Sequence, residues 1–314
     1  MKKLMCLILV CSLFFLGGCF KKIKQSNKPR IVCTTSMIAD VVQELVGDKM
    51  TVVWLMGPGV DPHLYRPSEG DIQQLNKANI IFYNGLHLEA KMIPLFKHFQ
   101  DKKDVVQITK NIPESSLLFP PEYDGLYDPH VWFDLDLWAS TVKTMSATLI
   151  ENDVTNKAFY EQQRDRYLEK LADLTFATVQ LVNTIPQQRR ILVTAHDAFN
   201  YFARQYDFTV KALQGVSTQS EAGIEDVKML VDYIVKHKIP AIFVESSIPK
   251  RHIQAVQEAV KAQGWDVKIG GELFSDALGG PESEAGTYVG MIRHNVETIV
   301  AGLQSTAVAL HQQK

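Results

Sequence analysis

Short apolar, β-branched runs alternate with segments whose apolar residues recur every three or four positions, and the chain repeats this scheme twice. In its first half the runs predict strands over 30–35, 51–55, 79–84 and 105–108. The periodic segments predict helices near 36–46, 68–78 and 86–100, with another after 134. In the second half strands are expected over 191–195, 209–213, 241–245 and 266–270, and helices near 197–206, 221–238, 249–263 and 284–304. Strands that alternate with helices imply parallel sheets, because a parallel pair needs a crossover and the crossover helix packs back on the sheet. The expected class is α/β, with two doubly wound lobes. Each lobe is read as a mostly parallel four-stranded sheet with flanking helices.

Between the two sets, Tyr160, Tyr167, Leu171, Leu174, Leu181 and Ile185 recur at steps of three, four or seven. That is helical spacing, and Pro186 ends the run because proline cannot continue a helix. A helix over 157–185 would span about 43 Å at about 1.5 Å per residue, long enough to run along both lobes as one strut. The expected division is an N-terminal lobe over 30–155, a linking helix over 156–186 and a C-terminal lobe over 187–314.

The first 29 residues fit neither pattern. Lys2 and Lys3 precede Leu4 to Leu16, where Ser12 is the one polar residue, and Gly17, Gly18 and Cys19 follow. Thirteen apolar residues are too few for a bilayer, which needs about 20, but they suit an export signal over 1–18. The ending Leu16-Gly17-Gly18-Cys19 resembles a bacterial lipobox, which would make Cys19 the acylated first residue of the mature chain. Residues 19–29 are polar, lysine-rich and without periodicity, as expected of a lipid-anchored tether. The protein is therefore expected outside the cytoplasm, at a membrane surface.

Composition adds limits. The whole chain of 314 residues carries 33 basic and 35 acidic residues, so it lacks the basic surplus that grips nucleic acid. Of four cysteines, Cys6 and Cys11 leave with the signal and Cys19 takes the lipid, so Cys33 alone remains. A lone thiol forms no internal disulfide, and stability must come from the core. Cys33 lies in the strand Ile31-Val32-Cys33-Thr34-Thr35 and reads as a small core residue.

Asp-Pro-His occurs twice, at Asp61-Pro62-His63 and at Asp128-Pro129-His130. Proline fixes the local backbone, so each histidine is presented from a stiff turn. His63 falls beyond a strand's carboxyl end, where open α/β sheets bind ligands. His196 follows the strand 191–195, and Asp276 lies a few residues after the strand expected to end near Ile269. Three imidazoles and one carboxylate, two from each lobe, suit zinc or another divalent first-row ion. A bidentate Asp276 would add a fifth contact that accommodates manganese. His98, His237, His252, His294 and His311 fall on helices and read as solvated, while His87 could approach the crevice. Glu245 ends a strand, and a buried carboxylate there needs a partner: either a ligand it orients or an arginine. The glycine-rich segments match neither a phosphate loop nor a dinucleotide fingerprint, and His196-Asp197 has no Gly-x-Ser-x-Gly elbow to serve.

These segments together resemble the TroA-type metal-binding lipoproteins, the cluster A-I solute-binding proteins of zinc and manganese ABC importers. Gly57–Tyr65, Asp128–Asp134, Thr194–Phe199 and Gly271–Asp276 look like that family's four ligand loops, and the likeness runs from about residue 30 to 304. The resemblance implies two α/β lobes joined by one long helix, with one Zn2+ or Mn2+ ion held between them by His63, His130, His196 and Asp276. It also implies a monomer that serves an ABC permease and its ATPase from a lipid anchor. Zinc-dedicated members usually carry a long His-rich loop before the second ligand, whereas 111–127 is short and has no histidine. Manganese-dedicated members usually have glutamate where this chain has His196. The alternative is an exported zinc hydrolase with three ligands and a water, which requires that Asp276 leave the fourth position open.

Overall fold

In the computed structural model, which describes residues 28–304 except 122 and 124, the first lobe opens with β1 (Arg30–Thr35), α1 (Ser36–Val46) and β2 (Thr51–Met56). It continues through α2 (Glu69–Lys77), β3 (Ile80–Tyr83), α3 (Ile93–Phe99), β4 (Asp104–Gln107) and α4 (Leu135–Asn152). The long helix α5 (Lys157–Val182) follows. The second lobe contains β5 (Ile191–His196), α6 (Asn200–Tyr206), β6 (Thr209–Gln214) and α7 (Ile224–His237). It closes with β7 (Ala241–Glu245), α8 (Arg251–Ala262), β8 (Lys268–Leu273) and α9 (Tyr288–Gln304). The expected signal peptide over 1–18, the acylated Cys19, most of the tether and the last ten positions of the second lobe lie outside the described residues.

The first sheet has the order β2-β1-β3-β4, all parallel. The chain leaves β1 toward β2 on one side and returns to β3 on the other, which opens a crevice outside the carboxyl ends. The second lobe departs from the expected single four-stranded ladder. Its strands form two parallel pairs, β5-β6 and β7-β8, with β5 beside β7. At the carboxyl ends of β5 and β7 the Glu245 carboxylate accepts the amides of Ala195 and His196, so a side chain joins the strands there.

Alternation along the strands separates two faces. Ile31 and Cys33 point to one side of β1 and Val32 to the other; Ala241 and Phe243 oppose Ile242 and Val244 on β7. The outer face of the first sheet packs on α2 and α3, and that of the second on α7 and α8. The inner faces of both lobes share one apolar cluster, which includes Trp138 of α4, Tyr167 and Leu171 of α5 and Tyr288 of α9. Helix α5 has 26 residues and is about 39 Å long at about 1.5 Å per residue. It packs along α1, α4 and α9, with Tyr160, Tyr167, Leu171, Leu174, Thr178 and Val182 buried on one stripe. Cys33 is buried and its thiol is pushed far up by burial, as a core residue should be.

Several boundaries move. The helix expected from residue 86 begins at Ile93, because Gly85, Leu86 and His87 take positive φ of 84°, 52° and 66°. The buried Glu89 carboxylate accepts the amides of Asn84 and Gly85 and curls the chain back on itself. Strand β8 extends to Leu273 instead of stopping near 270, which places Asp276 three residues beyond its end.

Candidate metal centre

Both Asp-Pro-His segments fold into the same turn. Asp61 Oδ1 accepts the His63 amide at 2.9 Å, and Asp128 Oδ1 accepts the His130 amide at 2.9 Å. The intervening proline has no amide to compete, so each carboxylate closes its turn onto the histidine backbone. The first turn follows β2. The second precedes α4, whose N-terminus is capped by Asp134. From the second lobe, His196 is the last residue of β5, and Asp276 sits in the loop after β8.

The four side chains meet in the interior: the three histidines are wholly buried and Asp276 is 1% exposed. His63 Nε2 lies 3.3 Å from His130 Nε2 and 3.6 Å from Asp276 Oδ2. His130 Nε2 lies 3.6 Å from Asp276 Oδ1, and His196 Nε2 lies 3.3 Å from Asp276 Oδ2. One donor atom from each residue falls within 4.8 Å of all the others. An ion with tetrahedral bonds of about 2.0–2.1 Å sets its donors about 3.3–3.4 Å apart. The quartet therefore has nearly the dimensions of a coordination shell before any side chain moves.

Two of the rings have their far nitrogens fixed. Asp128 Oδ1 accepts from His130 Nδ1 at 2.7 Å, and Glu245 Oε2 accepts from His196 Nδ1 at 2.5 Å. A proton held on Nδ1 makes Nε2 the nitrogen that can turn a lone pair to the centre once it carries no proton, the usual arrangement behind a metal-bound imidazole. His196 Nε2 and both Asp276 oxygens are buried without a hydrogen-bond partner. Such atoms are costly to leave bare, and a cation would satisfy all three.

The electrostatics divide the imidazoles. Burial lowers the His63 pKa to about 3, with His130 and His196 adding to the effect against the pull of Asp276, so its ring stays neutral and ready to bind. Burial works against charge on His196 as well, but Glu245 and Asp276 outweigh it and hold that pKa well above the ordinary value. Asp276 is disfavoured by burial too, yet the three surrounding imidazoles keep its carboxyl well below the usual carboxylate range.

All four candidate donors are thus brought together, and among the described residues they form the one such group of His, Cys, Asp or Glu. His87 is not in it; it lines a separate cavity of about 250 Å3 with Tyr83, Glu89 and Lys97. Of the remaining histidines, His98 and His237 are exposed as expected, whereas His294 is half-buried with Nε2 at 3.0 Å from the Glu272 carbonyl. Glu245 proves to hold a ring and not an arginine. The ring-holding part of Asp128 was legible only as its place two residues before a histidine. Thr218, which donates to Asp61, and Ser275, whose carbonyl accepts from Trp132, reach the first lobe from the second and carry no local signal at all.

The chain resembles proteins of known description over nearly its whole described length. A family model described as the periplasmic component A of the zinc-uptake complex matches residues 31–302. The zinc-binding protein TroA of Treponema pallidum is 46% identical over 277 residues, covering 88% of this chain and 89% of that one. The manganese-binding lipoprotein MntA of Bacillus subtilis is 41% identical over 275 residues, covering 88% and 90%. The solved structure of the Treponema pallidum periplasmic zinc-binding protein superposes with a TM-score of 0.86, covering 88% of this chain and 99% of that one.

Proposed function

The chain belongs to the family of periplasmic zinc-uptake component A proteins, and from that membership and the geometry of the quartet we propose that His63, His130, His196 and Asp276 are its metal ligands. The protein is a substrate-binding protein of an ABC importer that captures one divalent zinc or manganese ion between two lobes and delivers it to a membrane permease. The observation that carries the ligand assignment is the convergence of buried donor atoms, three of them unpartnered, at the spacing of a coordination shell.

Its family is one of transport and not of catalysis. The chemistry of the quartet agrees. Catalytic zinc keeps a position open for water, whereas four protein donors facing one another close the shell. Both support reading the protein as a binding module. Three imidazoles favour zinc over manganese at equilibrium by the ordinary order of affinities. The acylated Cys19 would hold the monomer at the outer face of the membrane, within reach of the permease and its ATPase. Among the described residues no helix is long and apolar enough to cross a membrane.

The test is metal analysis of the mature chain, with competitive titration of zinc against manganese. One tight site per chain is expected; no metal under any condition, or several ions per chain, would sink the assignment. At free metal about 100 times the dissociation constant, saturation should stabilise the fold by about 2.7 kcal/mol. His130→Ala should abolish most of that shift and His294→Ala should leave it intact.

A further inference from the structure

The two Asp-Pro-His turns are alike in shape and unlike in how they are fastened. The second is tied on every side. Tyr201 Oη donates to the Asp128 carbonyl at 2.9 Å and Asn200 Nδ2 to Asp128 Oδ2 at 3.2 Å, both from the second lobe. The Trp132 indole donates to the Ser275 carbonyl at 2.8 Å, and Asn84 Nδ2 donates to the Pro129 carbonyl at 3.0 Å. The first turn has one hydrogen bond to the second lobe among the described residues: Thr218 Oγ1 donates to Asp61 Oδ2 at 2.6 Å. The other oxygen of the same carboxylate holds the His63 amide.

Resting on the ligand assignment above, we propose that His63 is the ligand that detaches first when the metal leaves, and that Thr218, acting through Asp61, is the positioning residue that sets the release rate.

Three further observations support this. His63 Nδ1 is buried with no partner, whereas the corresponding nitrogens of His130 and His196 are each held by a carboxylate. No carboxylate sets the orientation of the His63 ring from its far nitrogen. The turn begins at a glycine with φ +72°, Gly59, and Leu64, the residue after His63, is 46% exposed, so the turn has solvent on its outer side. On the other side of the bond, Thr218 is buried within a loop whose next three residues, Gln219 to Glu221, are exposed. The loop turns Val216 and Thr218 inward, and the Thr218 hydroxyl is what it delivers to the first lobe. Across the lobes, moving the second turn would break at least three hydrogen bonds and uncover Trp132, while moving the first breaks one. The lobes share a core along α5, so a wide hinge opening is opposed and local detachment is the easier route.

The experiment measures zinc release from the loaded mature chain into an excess of fluorescent chelator by stopped flow, for the wild type, Thr218→Val and Thr218→Ser. Valine keeps the shape and removes the hydroxyl; serine keeps the hydroxyl. Loss of this partly buried hydrogen bond to a carboxyl group leads to an expected release about tenfold faster in T218V, with the association rate changed less than about twofold. T218S should release at the wild-type rate. Amide exchange in the metal-free chain should quicken over 57–66 in T218V and stay unchanged over 126–134. Release at the wild-type rate in T218V, equal acceleration in T218S, or exchange rising alike in both turns would overturn the proposal. A wild type that holds no zinc would instead overturn the ligand assignment.

Discussion

At the residue scale, three histidines of identical chemistry are given three different environments. His63 is neutral with no partner at Nδ1, His130 is braced by Asp128, and His196 is braced and charged by Glu245. Glu245→Gln tests the bracing. The two backbone amides would hold the glutamine oxygen, which turns its NH2 toward His196 Nδ1. That nitrogen would then have to accept, the proton would move to Nε2, and the ring would face the ion with no lone pair. Metal affinity should fall about 10–100-fold, with the fold intact by circular dichroism; unchanged affinity would mean that Glu245 serves the sheet alone. The raised His196 pKa has its own consequence. A ring protonated at neutral pH must lose that proton to bind, so metal uptake near pH 7 should release about one proton, and affinity should weaken as pH falls. Calorimetry in buffers of different ionisation enthalpy measures this directly, and a binding heat independent of buffer would refute it. Two of the proposed ligands, His63 and His130, stood out because Asp-Pro-His is a local signal. The braces were not, since Glu245 lies 49 positions from the ring it holds.

At the element scale, strands were the most legible. β1 and β7 occupy the positions expected from their apolar runs, because a buried strand needs only a short apolar stretch bounded by turn formers. Helix starts were less legible. The stretch 86–92 has helical spacing, but the Glu89 carboxylate captures the amides of Asn84 and Gly85 and wins over local propensity. The long helix was recognisable from its apolar stripe, and its role as a strut is a matter of packing. Leu171 is 2% exposed on that stripe, within the cluster shared by both lobes. Leu171→Ala should destabilise the protein by about 2–5 kcal/mol, and the loss should appear in one cooperative transition that involves both lobes. Two separated transitions in calorimetry would show that α5 merely connects them.

At the scale of the whole molecule, the lobes are bound by polar contacts as well as by the shared core. The Asp40 carboxylate of α1 accepts the amide of Tyr288, at the start of α9, at 2.9 Å, and Ser36 Oγ accepts that of Leu278 at 3.0 Å. Burial raises the Asp40 pKa from 3.8 to about 6; the Tyr288 amide opposes the shift, Glu44 adds to it and Lys170 lowers it. The sign follows from linkage. The folded chain keeps this proton up to about pH 6 and the unfolded chain gives it up near 3.8, so the stability it confers at low pH is lost as pH rises through 6. Asp40→Asn keeps an acceptor for Tyr288 and removes the ionisation. It should stabilise the metal-free protein by about 1–2 kcal/mol at pH 8, after allowing for partial exposure, with the gain vanishing toward pH 4. Urea midpoints at the two pH values would show it, and an equal gain at both would refute the cause.

The sequence by itself determined the α/β class, the positions of the strands and the long helix, and it offered the four residues proposed as donors. Each of these is written in local periodicity, in the two Asp-Pro-His motifs or in a place just beyond a strand. Only the tertiary structure decided that donors from residues 63 and 276 stand within 3.6 Å of each other. It also decided which carboxylate braces which ring, that the second lobe divides into two strand pairs, and that one threonine fastens the first ligand turn. Those outcomes depend on side chains far apart in the chain, and their positions are fixed only when both inner faces close on one core.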